Sequence, residues 1–282
     1  MNGPLAVTLY LPCFNAAHFL KHVLPAVRAQ TYPVERTLVI DDGSTDETAE
    51  IARAHGVEVV SQGKNRGLGV ARNTAIRLAE TPFVASLDAD VVPEADWLET
   101  LATNMANRRW AGVGGNLVET VQNTVADRWR AAHMQQGWGQ EPVENPPFLC
   151  GNGTLYRKAD LEAVGLFDES CRSNGEDGRI GNLLRSAGFE ILYDPAAVCH
   201  HLREDTLESI CQSFWNYHFH DHVADNPVQA RKRRHFALRK LVVKNTFQDL
   251  LAGRVDVAAL NLVMFSRWRR FDHALRRDGV PF

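Results

Sequence analysis

The chain has 282 residues, of which 45% are hydrophobic and 23% charged, enough for a full core in one large or two small domains. No apolar run approaches the roughly 18 residues that a membrane span needs. The net charge of −3 is unevenly spread: residues 228–282 hold 13 Lys and Arg against 4 Asp and Glu, while the rest hold 18 against 30, and so acidic a body argues against general nucleic-acid binding.

The opening "MNGPLAVTLYLPCFN" has no basic region ahead of its apolar stretch. It reads as a first strand rather than a signal peptide, which predicts a cytoplasmic protein. A helical pattern follows through "AHFLKHVLPAVRAQ", then the strand "RTLVI", the helix "DETAEIARAHG" and the strand "VEVVS". "GLGVARNTAIRLAE", "PFVASL" and "EADWLETLATNMANR" continue the alternation. Short apolar runs separated by amphipathic helices predict an α/β sandwich with a mainly parallel sheet, ligands binding at the carboxyl ends of its strands. From residue 111 the pattern loosens. "AGVGGNLVE" reads as a glycine-containing strand, "ENPPFLCGNGTLYRK" as an ordered loop entering another strand, "NGEDGRIGNLLRSAG" as the start of a helix, and "FEILYDPAAVCHH" as an extended segment interrupted at Pro195. Beyond Arg203 the chain reads as helical. The predicted division is a domain over 1–205 and a basic helical extension over 206–282 packed on it. Five scattered cysteines without a C-x-x-C pair suit small buried hydrophobes better than disulfides or zinc ligands.

Three segments fall on the expected binding edge: Pro12 to Asn15 after strand one, "DDGSTDET" after strand two, and "DAD" at 88–90. In "DDGSTDET", Ser44 or Thr45 is the expected helix cap, Asp46 and Glu47 complement the helix dipole, and Asp41 is structural; Asp42, at the strand tip, is the better candidate ligand. Asp88 and Asp90 raise the cost of ionising each other. A hard divalent cation such as Mn²⁺ or Mg²⁺ would reverse that penalty, with water and substrate phosphates completing its coordination. A plain polar turn is the competing reading.

The ordered set "LPCFN", "IDDGSTDET", "NRGLGVARN", "SLDAD", "GNGTLYRKADLEAVGLFDE", "NGEDGRIGNLLRSAGFEILYDP" and "AVCHH" resembles the inverting family-two glycosyltransferases of the GT-A fold over about residues 5–203. The resemblance implies a metal-dependent enzyme that moves one sugar from a nucleoside diphosphate, UDP preferred, to a hydroxyl of a saccharide or lipid-linked saccharide. It places Pro12 and Asn15 at the donor, Asp42 on the nucleotide base, Asp88 near ribose and metal, Asp90 on the metal, and Arg72 near the diphosphate. Arg72 bound instead to the sheet or a helix end is the alternative. Asp177 is the implied catalytic base and Glu176 the acceptor support; both equally suit the first turn of a helix. A histidine after the last strand is implied as a further metal or diphosphate contact, and strand alternation from Pro195 favours His201 over His200, either of which can also simply finish the strand.

"QSFW" at 212–215 departs from the Q-x-x-R-W of processive members, which implies single addition. His218 and His222 share a helix face but lack an acidic or cysteine partner, so a packed or acceptor-facing aromatic helix with Trp215, Tyr217 and Phe219 is the preferred reading. The basic, apolar-striped segments 230–245 and 265–277 suit either a solvated face over a packing stripe or peripheral contact with an anionic membrane. Two other classes stay in view: a haloacid-dehalogenase-type phosphohydrolase, whose D-x-D-x-[TV] "DADVV" satisfies although three strands precede it, and a non-catalytic nucleotide-sugar binding protein. The oligomeric state is left open.

Overall fold

The computed structural model describes residues 3–106, 109–171, 174–219 and 227–278, with side chains described at all of these except 217–219, 227–235, 237 and 272–278. The chain opens with β1 (Val7–Cys13), α1 (Ala17–Arg28), β2 (Arg36–Asp41), α2 (Thr48–Ala54), β3 (Glu58–Ser61), α3 (Leu68–Leu78) and β4 (Phe83–Leu87). These four strands lie side by side in the order β3-β2-β1-β4, all parallel. Helical crossovers demand that arrangement.

After β4 the sheet changes character. β5 (Val91–Pro93), α4 (Trp97–Met105), β6 (Trp110–Glu119), α5 (Val125–His133), β7 (Val143–Glu144), β8 (Gly153–Arg157), α6 (Lys158–Ala163), α7 (Glu176–Ser186) and β9 (Glu190–His201) follow. The sheet continues as β4-β8-β6-β9-β5, with β7 beside β9. The pairs β4–β8, β6–β8, β5–β9 and β7–β9 are antiparallel. The sheet is therefore mixed: β1 to β4 are parallel, and β8 runs against both β4 and β6, so that β6 points the same way as β4. β9 also runs unbroken through Pro195, against the expected interruption. Proline brings no N–H to the ladder, and Asp194 Oδ1 accepts the next one, from Ala196, at 2.9 Å, so the strand passes the proline without an orphaned donor.

Strand alternation sends side chains to two separate cores. On one face Val7, Leu9, Leu11 and Cys13 of β1 pack with Leu20, Val23 and Leu24 of α1 and Trp97, Leu98 and Leu101 of α4. On the other, Tyr10 joins Ala71, Ala75 and Ile76 of α3 and Ile180 and Leu184 of α7. Each of the large aliphatic side chains contributes about 1.5–3 kcal/mol by leaving water. The second core fixes α3 and α7, the helices that carry Arg72 and the Glu176–Asp177 pair, on the same face of the sheet.

The chain divides into two compact units, Met1–Val118 with Gln136–Leu202 and Glu119–Gln135 with Arg203–Phe282. The second unit is helical, formed by α5, α8 (Leu207–Phe219), α9 (Pro227–Leu251) and α10 (Val255–Asp278). Its core stacks Phe214 on Trp268 at 4.6 Å between ring centres, with Trp129 edge-on to Phe214 at 5.2 Å. A capping box of Thr124 and Asp127 starts α5. At the buried centre of this unit Asp249 accepts hydrogen bonds from Arg254 and Asn261 and lies 2.9 Å from His133 Nε2. No helix among the described residues is long and apolar enough to cross a membrane. His222 lies outside the described residues, as do the side chains of Tyr217, His218 and Phe219.

Candidate active site

β1 and β2 end in register at Cys13 and Asp41, and β4, paired to β1 as far as Tyr10 with Ser86, ends at Leu87 on the same edge of the sheet. The first two ends are welded together. Asn15, at φ 51° in the left-handed region that asparagine tolerates, donates its N–H to Ser44 Oγ at 2.9 Å and accepts the Thr45 N–H on Oδ1 at 2.8 Å. Asp41 Oδ1 accepts the Ser44 N–H at 2.9 Å, as a structural residue should. Ser44 and Thr45 are thus engaged with Asn15 and do not cap α2. Its first N–H, from Thr48, goes to Asp46 Oδ1 at 3.1 Å, and Asp46 Oδ2 accepts the Ala17 N–H at 3.1 Å. Pro12 lies half-buried on β1 opposite Ile40.

Asp42, the expected contact to the nucleotide base, is buried and clamps a loop. Its Oδ1 accepts the Arg66 N–H at 2.7 Å and its Oδ2 the Gly67 N–H at 2.8 Å. Gly43 permits this approach: its φ is +79°, and a Cβ there would come within 2.5 Å of the Lys64 backbone.

Arg72 is only 1% exposed and sits beneath the site rather than in it. Its guanidinium donates to Ser86 Oγ, to the Gly151 carbonyl at 3.0 Å and to Asp88 Oδ1 at 3.1 Å, and its Nε lies 3.4 Å from Glu176 Oε1. In this position the guanidinium binds the sheet edge and a helix start. Ser86 and Gly151 were not singled out from the sequence. A serine in the apolar strand "FVASL" was the available signal for the first, and the glycine pair of "CGNG" for the second.

Asp88 and Asp90 follow β4 in a short turn and are part-exposed. Burial pushes the Asp88 carboxyl above its ordinary value, Asp90 and Glu176 add to the shift, and Arg72 opposes it. His201 pairs with Val91 across the β5–β9 ladder, which brings its Nε2 to 3.3 Å from Asp90 Oδ2. His200, one residue earlier on the opposite face, meets Glu94 at 3.0 Å instead. Among the described residues no three His, Cys, Asp or Glu side chains converge as a ready-made metal cage.

Glu176 and Asp177 are the first two residues of α7, after Gly175 in the left-handed region. Asp177 Oδ2 accepts the Gly151 N–H at 2.8 Å, while Asp177 Oδ1 and Glu176 Oε2 are buried without a hydrogen-bond partner. Burial, reinforced by the neighbouring Glu176, pushes the Asp177 carboxyl up to about 8, against the pull of Arg72 and the Gly151 N–H. A Cβ at Gly151 would lie 2.6 Å from Asp177 Oδ1 and 2.7 Å from Arg72, so a larger residue there would displace the ends of both side chains. Gly151 and Arg72 thus form a relay that ties Asp88, at the strand edge, to Asp177, at the helix start.

A run of parallel strands carrying acidic loops, continued through the reversed strand β8 and faced by an acidic helix start, is the GT-A arrangement, and solved GT-A enzymes superpose on it. The mannosyltransferase PcManGT of Pyrobaculum calidifontis, in complex with GDP-Man and Mn²⁺, matches with a TM-score of 0.59 at 20% identity over 94% of this chain and 77% of its own. TarS of S. aureus, in complex with UDP-GlcNAc, matches with a TM-score of 0.57 at 16% identity over 76% of this chain and 68% of its own. The family model of Glycosyl transferase family 2 matches residues 8–165, and the chain belongs to that family. Among curated relatives, the pre-mycofactocin glycosyltransferase of Mycobacterium tuberculosis is 32% identical over 205 residues, 69% of this chain and 42% of the relative. The chain thus spans less than half the length of that relative.

Proposed function

We propose that this chain transfers a single sugar from a nucleoside-diphosphate sugar to an acceptor hydroxyl, with inversion at the anomeric carbon and dependence on a divalent cation. The first compact unit would hold the chemistry, and the residues after 205 would form the helical extension. The observation that carries the reading is the buried, partner-poor carboxylate of Asp177, held by Gly151 and Arg72 across from Asp88. In the transfer step the acceptor hydroxyl gives its proton to Asp177 Oδ1 as its oxygen attacks the anomeric carbon from the face opposite the diphosphate. The anomeric C–O bond to the phosphate breaks, and the nucleoside diphosphate leaves. Glu176 supports the acceptor side, and its negative charge also keeps the Asp177 proton affinity high.

Asp90 and His201 offer one hard oxygen and one imidazole nitrogen in proximity, a donor set that suits Mn²⁺ with the remaining positions left to donor phosphates and water. A cation held there would act as a Lewis acid that stabilises charge developing on the departing diphosphate. The crystallised complexes of the two structural neighbours, one with GDP-Man and Mn²⁺ and one with UDP-GlcNAc, support a nucleotide-sugar donor. Of the carriers, UDP is the proposal; the acceptor is a saccharide or lipid-linked saccharide. Asp42 then shapes the donor pocket by fixing the 64–67 loop, with Pro12, Asn15 and Asp88 lining the strand edge beside it. The phosphohydrolase reading loses its basis, because Asp88 follows the fourth strand in chain order and the family is that of sugar transferases.

Thermal unfolding with UDP, GDP, dTDP and CMP, each with and without Mn²⁺, tests the reading, since only ligands of the folded state raise the midpoint. A rise with UDP that depends on Mn²⁺ and is lost in Asp90→Asn is expected. A rise with GDP alone would change the carrier, and no rise with any of the four would remove the nucleotide-sugar assignment.

A further inference from the structure

The second unit presents a surface outside the residues assigned to the proposed sugar transfer. Helix α9 is apolar on two opposite faces. Leu238 and Val242 are buried in the unit's core, whereas Phe236, Val243, Phe247, Leu250 and Leu251 point outward, from 53% exposed at Leu250 to 74% at Leu251. The outward set recurs at steps of seven, four and three to four residues, so it forms one continuous stripe along the helix. Val255 and Leu262, at the start of α10, are exposed to a similar degree, at 65% and 61%.

The stripe carries charge of one sign. Arg239, Lys240 and Lys244 are exposed and fall at helical positions among the outward apolar residues. The one acid between Phe236 and Leu251 is Asp249, which is fully buried and engaged by Arg254 and Asn261. Farther along α10, beyond Leu262, Arg269 and Arg270 are exposed as well.

We propose that this face of α9, with the exposed start of α10, docks on an anionic phospholipid membrane. A lipid surface accepts both halves of the pattern at once: apolar side chains enter the boundary of the acyl region, and Lys and Arg stems reach up so that their charges meet lipid phosphates. A second copy of the chain fits less well. Interface centres are depleted of charge, and a self-complementary contact would set rows of like cations against each other. Since no described helix can span a bilayer, the binding is peripheral, with the helices lying in the interface plane. The proposal stands independently of the sugar-transfer reading, because its readout is partition onto vesicles.

The test is co-sedimentation of the full chain with phosphatidylcholine vesicles, with and without about 30% phosphatidylglycerol, at low and high salt. The chain should pellet with the anionic vesicles, and high salt should release it. Removing two cations, in Lys240→Gln/Lys244→Gln, should weaken partition about 30-fold. Phe247→Ser/Leu251→Ser should weaken it at least about tenfold through lost apolar contact. All four positions are exposed, so both variants should keep the parental circular dichroism and unfolding midpoint; the cation pair, which removes no apolar group, serves as the second reading if the serine pair unfolds. Equal partition onto neutral and anionic vesicles, or undiminished partition of both folded variants, would overturn the proposal. So would a lipid-free dimer that the serine pair dissolves into monomers, which would assign the face to a second copy.

Discussion

Two acid-rich segments meet at the same sheet edge and treat their carboxylates in opposite ways. In 41–48 every aspartate serves the backbone: Asp41 holds Ser44, Asp42 holds Arg66 and Gly67, and Asp46 holds Ala17 and Thr48. At the start of α7, by contrast, Asp177 Oδ1 and Glu176 Oε2 are buried with no hydrogen-bond partner. The protonation behaviour follows. Burial pulls the Asp46 carboxyl upward, but the donors on Thr48 and Ala17 outweigh it and hold the group below its usual range. Burial and Glu176 push Asp177 up to about 8. An acid whose oxygens are all supplied with donors is architecture, whereas one kept dry and short of donors is poised to take a proton.

The largest break in this contrast comes from Asp177→Asn. The amide keeps the acceptor oxygen for the Gly151 N–H and removes the proposed base, so transfer should fall by about 10²- to 10⁴-fold while the unfolding midpoint is kept or raised. A folded Asp177→Asn protein with undiminished turnover in a donor-consumption assay would transfer the base role elsewhere.

Arg72→Met attacks the relay that both acidic groups of the site share. It leaves Asp88 and Glu176 without their cation, and breaking a buried ion pair from one side costs about 3–5 kcal/mol. Asp88 is about one-third exposed, at 32%, so water softens the loss, and a value near the low end is expected in chemical unfolding. A loss below about 0.5 kcal/mol, the range of ordinary surface substitutions, would show that the network is not the support described.

How far this site was legible in the sequence follows from the same contrast. The strands, the crossover helices and the acids at the strand ends were readable, because hydrophobic period and position at a strand tip are local properties. Which acids are used up was not. Asp42 looks freer than Asp41 in "DDGS", yet the loop 64–67, more than twenty residues away, descends on Gly43 and occupies both its oxygens. Arg72 likewise looks like a phosphate ligand, and its burial depends on Gly151, seventy-nine residues on. The reversal at β8 was hidden for a related reason: β8 is an ordinary strand locally, and only its pairing with β4 and β6 sets its direction. Helix α5 left a weak signal, since "VADRWRAAH" packs its apolar residues Ala126 and Trp129 against helices seventy or more residues downstream.

Asp42→Ala sharpens the architectural side of the comparison. It deletes two hydrogen bonds from backbone donors to a charged acceptor, each worth about 1.5–3 kcal/mol to the fold when the donors stay buried. The 64–67 loop can reach water once released, so a net loss of about 1–3 kcal/mol is expected, with faster hydrogen exchange at the Arg66 and Gly67 amides. Unchanged exchange at those amides would show that the loop does not depend on the clamp.

The smallest effect is also the one that reads Asp177 directly. With its carboxyl pushed up to about 8, roughly a tenth of the free protein carries an ionised Asp177 at pH 7. kcat/KM should therefore climb about tenfold from pH 7 to a plateau above pH 8, and the limb should move to higher pH in Arg72→Lys if the shorter ammonium holds the acid less closely. Stability should run the other way. Between about pH 4, where the unfolded carboxyl ionises, and about pH 8, the folded chain holds a proton that the unfolded chain has released, so this group's contribution is complete below pH 4 and is lost as pH rises toward 8. Asp177→Asn should flatten that decline without need of any substrate. A variant whose unfolding midpoint varies with pH as the parent's does would show that Asp177 titrates as an ordinary surface carboxylate, and the contrast between the two acidic segments would then rest on geometry alone.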